Sequence, residues 1–136
     1  MRLLNEFIKK AHDNLTQERR KYWHDRGCND WVLDYFSIGY SLKNKFYIFP
    51  YFDAKGDCFF YKAISIDKRH YWCPAEGDFV RIFNIQDIKT AREQKRPIHV
   101  CEGEKDTLIM KMCGFLCIGI SGAGGFKEEY NDVEVI

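Results

Sequence analysis

His99-Val100-Cys101-Glu102-Gly103-Glu104-Lys105-Asp106 is the stretch on which the reading of this 136-residue chain turns. Pro97 stands just ahead of it, where its ring blocks a helix and biases the preceding residue toward extended backbone. Ile98 to Cys101 is an apolar run of strand length. From Glu104 to Cys113, Leu108, Ile109 and Met112 recur with helical spacing, and Gly114 is placed to end the helix. Phe115 to Ile120 is a second apolar strand run, followed by Ser121-Gly122-Ala123-Gly124-Gly125. The order is strand, acid at the strand's carboxyl end, helix, strand, glycine loop. Open α/β sheets bind ligands beyond the carboxyl ends of their strands, so Glu102 stands where chemistry is usually done.

Upstream, Leu3, Leu4, Phe7, Ile8, Ala11 and Leu15 make an amphipathic helix of the first fifteen residues or so. Thr16 is a candidate N-cap for a second helix carrying Arg19, Arg20, Lys21 and Arg26, stopped by Gly27. Asn29 or Asp30 caps a short helix through Trp31, Val32 and Tyr35. From Phe46 the period changes. Phe46 to Phe52 is apolar on both faces, as in a central strand. Asp53-Ala54-Lys55-Gly56 has hairpin-turn chemistry, and Asp57 to Ile66 is the returning strand. Its alternation puts Phe60, Lys62 and Ile64 on one side and Phe59, Tyr61 and Ala63 on the other. Lys62 then either snorkels at a sheet margin or points into a groove. Asp67 to Asp78 is polar and turn-rich, and Ile85 to Arg92 reads as a helix.

With 46% hydrophobic residues the chain is long enough for a real core in one domain or little more. The formal charge of +1 hides an asymmetry: residues 1–99 hold 18 Lys/Arg against 13 Asp/Glu, residues 100–136 hold 3 against 7. A basic body with an acidic tip suits a protein that holds phosphates on one part and metal ions on the other; uneven sampling of a solvated surface is the plainer account. The six cysteines contain no Cys-x-x-Cys pair. His24 with Cys28 and His70 with Cys73 are the one zinc-like combination, but nothing brings the pairs together and zinc is not expected. With no leader and no membrane-length apolar run, a reduced cytoplasmic setting is expected.

The central stretch, with Cys117-Ile118-Gly119-Ile120-Ser121-Gly122 after its helix, resembles the first half of a Toprim domain. That family's opening signature is an apolar strand, Glu-Gly-x-x-Asp, a helix and a second strand ending in small residues. The upstream half is similar to one branch of it, the DNA primases of bacteria and phages. Tyr22-Trp23-His24-Asp25-Arg26-Gly27 resembles their Tyr-Leu-x-x-Arg-Gly segment, and Ile38-Gly39-Tyr40 their Ile-Gly-Tyr/Phe. Phe49-Pro50-Tyr51-Phe52-Asp53-Ala54-Lys55-Gly56 resembles their Phe-Pro-x-x-Asp-x-x-Gly hairpin. Lys62 and Lys68, six residues apart, are similar to the nucleotide- and template-binding basic residues of phage primase-helicases. Arg81-Ile82-Phe83-Asn84 stands where primases have Leu-Phe/Trp-Gly.

The resemblance implies an α/β chain in two parts. Residues 1–95 would be an α+β amino-terminal subdomain with helices and an antiparallel hairpin; residues 96–136 would be an incomplete parallel Toprim β–α–β unit. The implied activity is RNA-primer synthesis on single-stranded DNA by metal-dependent nucleotidyl transfer. Glu102 is the implied catalytic and metal-binding residue, with Mg2+ or Mn2+ as cofactor. The plainer role for Glu102 is a solvated acid favoured near a helix N-terminus. Lys62, Lys68 and Arg69 are candidate nucleotide or template contacts, while Asp106, Gly103, Gly122 and Arg26 are expected to support the site. Asp106 falls in a helix's first turn, where an acid can bond free backbone amides. Tyr71 and Trp72 either stack on bases or join the core.

The family's metal site needs a further Asp-x-Asp on a third strand, and the chain stops where that strand begins. The chain is therefore expected to be part of a larger phage-type or mobile-element primase and inactive by itself. Single-stranded DNA and nucleoside triphosphates are its expected partners, with a replicative helicase or fused helicase domain as a further one, and no membrane. A non-catalytic nucleic-acid- or partner-binding module derived from a primase, or part of a Toprim nuclease, remain open as alternatives.

Overall fold

Seven consecutive residues from Phe46 to Phe52 have no charged side chain, and both faces of the strand they form are covered. In the computed structural model, which describes residues 4–67, 71–72 and 81–120, this is β2 of a four-stranded antiparallel sheet. The sheet runs β1 (Gly39–Ser41), β2 (Phe46–Phe52), β3 (Cys58–Ser65), β4 (Tyr71–Trp72), each paired to the next. β1 ends opposite Ile48, so β2 is central only in its first half. Pro50 lies past that end, where a residue with no N–H is tolerated because one side of the strand has no partner. The β2–β3 turn is built by Asp53, whose Oδ1 accepts from the Lys55 and Asp57 amides at 2.9 and 3.0 Å.

The register of β3 corrects one detail of the expected alternation. Tyr51 pairs with Phe60 but Phe52 with Cys58, so Phe59 is the extra residue of a β-bulge. Phe59 consequently packs against the same core as Phe60, Ile64, Phe49 and Tyr51. Tyr61 and Ala63 face the other way, under helix α1 (Asn5–Asp13), which contributes Ile8 and Ala11. Helices α2 (Gln17–His24) and α3 (Asp30–Tyr35) close the inner face with Trp23, Val32, Leu33 and the flanking Phe36. Thr16 and Asn29 cap them as the sequence indicates, accepting from the Arg19 and Val32 amides.

The second unit follows helix α4 (Gln86–Gln94). Strands β5 (His99–Glu102) and β6 (Cys117–Ile120) are parallel, joined by α5 (Glu104–Met112), with Glu102 opposite Ile120. α4 packs on β6 through Ile85, Ile88 and Ile118. Phe83 makes a two-bond bridge to Gly119, 2.9 and 3.0 Å, and sends its ring into the main core onto Phe36 and Tyr51. Leu108 of α5 enters that core as well. Asp87, at the start of α4, accepts from Lys111 Nζ and from the Cys117 amide at 3.0 Å, tying α4, α5 and β6 together. No described helix is long and apolar enough to cross a membrane.

Polar contacts fasten the three amino-terminal helices. The Arg20 guanidinium donates to Asp34 at 2.6 Å and to Asp30 at 3.3 Å; His12 reaches Asp34 and His24 reaches Asp30, at 3.1 and 2.7 Å. The His24 hydrogen bond foremost, with Arg20 beside it, holds the Asp30 carboxyl below the usual aspartate range. A depressed folded-state pKa gives stability that is complete above the ordinary value of about 3.9 and is lost as pH falls through the folded value. The melting temperature should therefore fall on acidification below about pH 4, and Asp30→Asn should flatten that acid limb in a pH series of thermal melts.

Candidate functional site

β5 ends at Glu102 and α5 begins at Glu104, leaving one residue for the reversal. Gly103 makes it at φ +90°, ψ 173°, a conformation that side chains with a Cβ resist. Its amide donates to Ile120 O at 2.6 Å, and its carbonyl accepts from Thr107 Oγ1 at 2.8 Å. The turn is thus pinned on both sides. Two glutamates leave it in opposite senses. Glu102 is exposed, whereas Glu104 is buried.

Glu104 Oε1 accepts from the Tyr51 hydroxyl at 2.5 Å and lies 2.9 Å from Lys62 Nζ. The side chains of Lys62 and Glu104 are 13% and 7% exposed, so this is an ion pair out of water. The two readings of Lys62 left by its alternation are resolved: it points inward between Phe60 and Ile64, toward α5. Asp106 is exposed in the first turn of α5, and its side chain makes no hydrogen bond among the described residues. The buried carboxylate of this turn is Glu104, which the sequence reading did not single out. A lysine alternating with buried phenylalanine and isoleucine was the available signal, because such a charge calls for a buried partner.

Glu102, Lys105 and Asp106 line one side of a cleft of about 170 Å³, with Gly103 and Glu104 behind them. The opposite wall is Phe49 and Ile64 of the antiparallel sheet with Tyr22, Trp23 and Arg26. Arg26 packs its guanidinium 3.5 Å above the Tyr22 ring and donates to Tyr22 O at 2.8 Å. Tyr22 stacks on Tyr47 at 4.6 Å, and Trp23 meets Tyr22, Tyr47 and Phe49 edge-on. Aromatic walls with a rim of cations and carboxylates can take a small anionic or metal-bound group, and the volume suits part of a nucleotide rather than a drug-sized ligand. Among the described residues no three His, Cys, Asp or Glu side chains form a metal-holding cluster. Two exposed carboxylates on the cleft are nonetheless the hard oxygen donors that a largely hydrated Mg2+ accepts. His24 is engaged by Asp30, and Cys28 is buried in the core. Lys68, Arg69 and Gly122 lie outside the described residues, as do the side chains of Tyr71 and Trp72.

No family model and no curated protein matches the sequence. Solved structures do match in fold. The RNA polymerase domain of Mycobacterium tuberculosis primase DnaG aligns with a TM-score of 0.76 at 14% identity, over 94% of this chain and 57% of that one. The chain has a primase-type fold. The Aquifex aeolicus primase (zinc-binding and RNA polymerase domains) aligns at 0.71 and 17%, over 85% of this chain and 40% of that one. A DnaG primase catalytic domain bound to single-stranded DNA aligns at 0.69 and 15%, over 88% and 52%. The chain spans about half the length of the primase catalytic cores it matches.

Gly119 is where the site's turn meets the rest of this fold. A Cβ there would collide with Thr107 Oγ1, lie 2.9 Å from Gly103 O and 3.3 Å from Phe83 Cβ. Gly119→Ala should thus destabilise the chain by roughly 1–3 kcal/mol, as overpacking does. Chemical denaturation checks it, and loss of less than about 0.5 kcal/mol would mean the turn gives way freely.

Proposed function

We propose that the chain is part of a DNA primase, with an amino-terminal subdomain followed by the first half of a Toprim domain, which builds RNA primers on single-stranded DNA by metal-dependent nucleotidyl transfer. The observation that carries this is Glu102: an exposed carboxylate at the carboxyl end of a parallel strand, on a cleft, in a primase-type fold. One of the similar structures is of a primase catalytic domain bound to single-stranded DNA, which supports the same class of partner here.

Glu102, with Asp106 beside it on the cleft, would hold a magnesium or manganese ion, together with carboxylates beyond those described here. When bound, such an ion offsets charge on the attacking hydroxyl and the departing pyrophosphate. The chain's own residues do the rest. Arg26 and Lys105 put positive charge on the rim where phosphates would lie. Tyr22, Trp23 and Phe49 give the cleft a dry wall that strengthens those electrostatic contacts. Lys68 and Arg69, which lie outside the described residues, are further candidate template contacts on the strength of the sequence resemblance.

Glu102→Gln keeps shape and hydrogen bonding but removes the charge. In the full-length protein that carries this chain, it should lower primer synthesis on a single-stranded template by a hundredfold or more, as removal of a charge-stabilising group does. Stability should change by less than about 0.5 kcal/mol, because the side chain is exposed. A variant that works at the parental rate rules the assignment out. The 136-residue chain alone should yield no primer. Its binding to single-stranded DNA, followed by fluorescence anisotropy, should weaken with a log–log salt slope of about −0.7 per phosphate contacted; a salt-independent affinity would argue against a phosphate-reading surface.

A further inference from the structure

We propose that Glu104, Lys62 and Tyr51 form a strut that sets the direction of Glu102, and that Lys62 is a positioning residue instead of a ligand contact. The proposal rests on the reading of Glu102 as the cation ligand. Tyr51 pairs with Phe60 and Lys62 with Phe49, so Tyr51 and Lys62 are diagonal neighbours on the inner face of β2–β3. Both donors converge on one oxygen, Glu104 Oε1. That oxygen belongs to the first residue of α5, and only Gly103 separates it from Glu102. Gly103 has no latitude of its own, since its amide and its carbonyl are both bonded.

A buried carboxylate with two donors cannot drift without leaving a charge unpaired, so the β5–α5 turn is held at a fixed distance from the antiparallel sheet. The sheet supplies one wall of the cleft and the turn supplies the other. Of the three strut residues Glu104 alone lines the cleft, so the strut ties the turn that carries Glu102 to the sheet beside it and sets the path of the backbone into Glu102. The Lys62 ammonium lies 2.9 Å from Glu104 and its side chain is 13% exposed, so it is engaged inside the fold.

The test uses Mn2+ as probe on the 136-residue chain. Two quantities are read by NMR: paramagnetic broadening of the Glu102 and Gly103 amides, and hydrogen exchange of the Gly103 and Thr107 amides. Glu104→Gln keeps an acceptor oxygen for both donors, and should bind Mn2+ within about twofold of the parent. Glu104→Leu should weaken Mn2+ at Glu102 by about tenfold or more, the range for residues that orient a metal ligand. It should also speed exchange of the two turn amides by more than that of the β2 and β3 core amides, which register the global loss from removing one member of a buried pair. Should Glu104→Leu fail to fold, the double variant Lys62→Met/Glu104→Leu replaces the pair with apolar groups of similar size, which proteins tolerate. In the Glu104→Leu background, adding Lys62→Met should weaken Mn2+ binding no further, because a positioning residue acts only through its partner. If the parent shows no broadening at Glu102 but the turn amides respond to Glu104→Leu, the strut stands and the cation reading fails. If Mn2+ broadens Glu102 and Glu102→Gln abolishes it, yet neither readout responds to Glu104→Leu, the strut is overturned.

Discussion

A single buried carboxylate oxygen joins the antiparallel sheet to the first turn of the helix in the parallel unit. Glu104 Oε1 receives the Tyr51 hydroxyl and lies against the Lys62 ammonium, both from the antiparallel sheet, while its backbone opens α5 of the parallel unit. Removing one member of such a pair typically costs 3–5 kcal/mol, whereas replacing the whole pair with apolar groups is often neutral. The interaction therefore contributes placement more than stability. A second buried pair works at the far end of the same helix, where Lys111 meets Asp87 and the Cys117 amide completes the carboxylate's shell. α5 is thus held at both ends by charges it cannot leave unpaired, an acid in its first turn and a base in its last, each in the sense its dipole favours.

Around these polar fixings the packing is aromatic. Phe83 is bonded through its backbone to the outer edge of β6, and its ring lies among Phe36, Phe49 and Tyr51 of the other core. The parallel sheet and the antiparallel sheet therefore share one interior, with Leu108 entering it from α5. Gly119 has to be a glycine for this to close, because Phe83 and the Gly103 carbonyl press on it from two sides. The cleft beside Glu102 is the seam that this packing leaves open.

Glu102 and Glu104 divide the work of the turn between them. Two residues apart across a left-handed glycine, one faces solvent on the cleft and the other is sealed beneath it. The exposed acid makes no side-chain hydrogen bond among the described residues, while the buried one is tied to Tyr51 and Lys62. The same arrangement accounts for Asp106, which is exposed on the cleft rim and free of side-chain hydrogen bonds among the described residues.

Most of the elements were legible in the sequence because their causes are local. Thr16 and Asn29 announce helices by capping them, Asp53 builds its own turn, and the spacing of Leu108 and Met112 marks α5 before Gly114 ends it. The parallel β–α–β order and the exposed place of Glu102 follow from the same short stretch. Four features were not legible, β4 among them, since Tyr71–Trp72 is a two-residue strand inside a stretch that reads as turns. β1 is only three residues long and owes its existence to the neighbouring strand. The bulge at Phe59 is a matter of register between two strands, which alternation along one of them cannot report. The role of Glu104 depends on a contact with Tyr51 across 53 positions of sequence. Local periodicity says which side of a strand or helix a residue occupies; only the packed tertiary structure determines which distant partner a buried charge meets there.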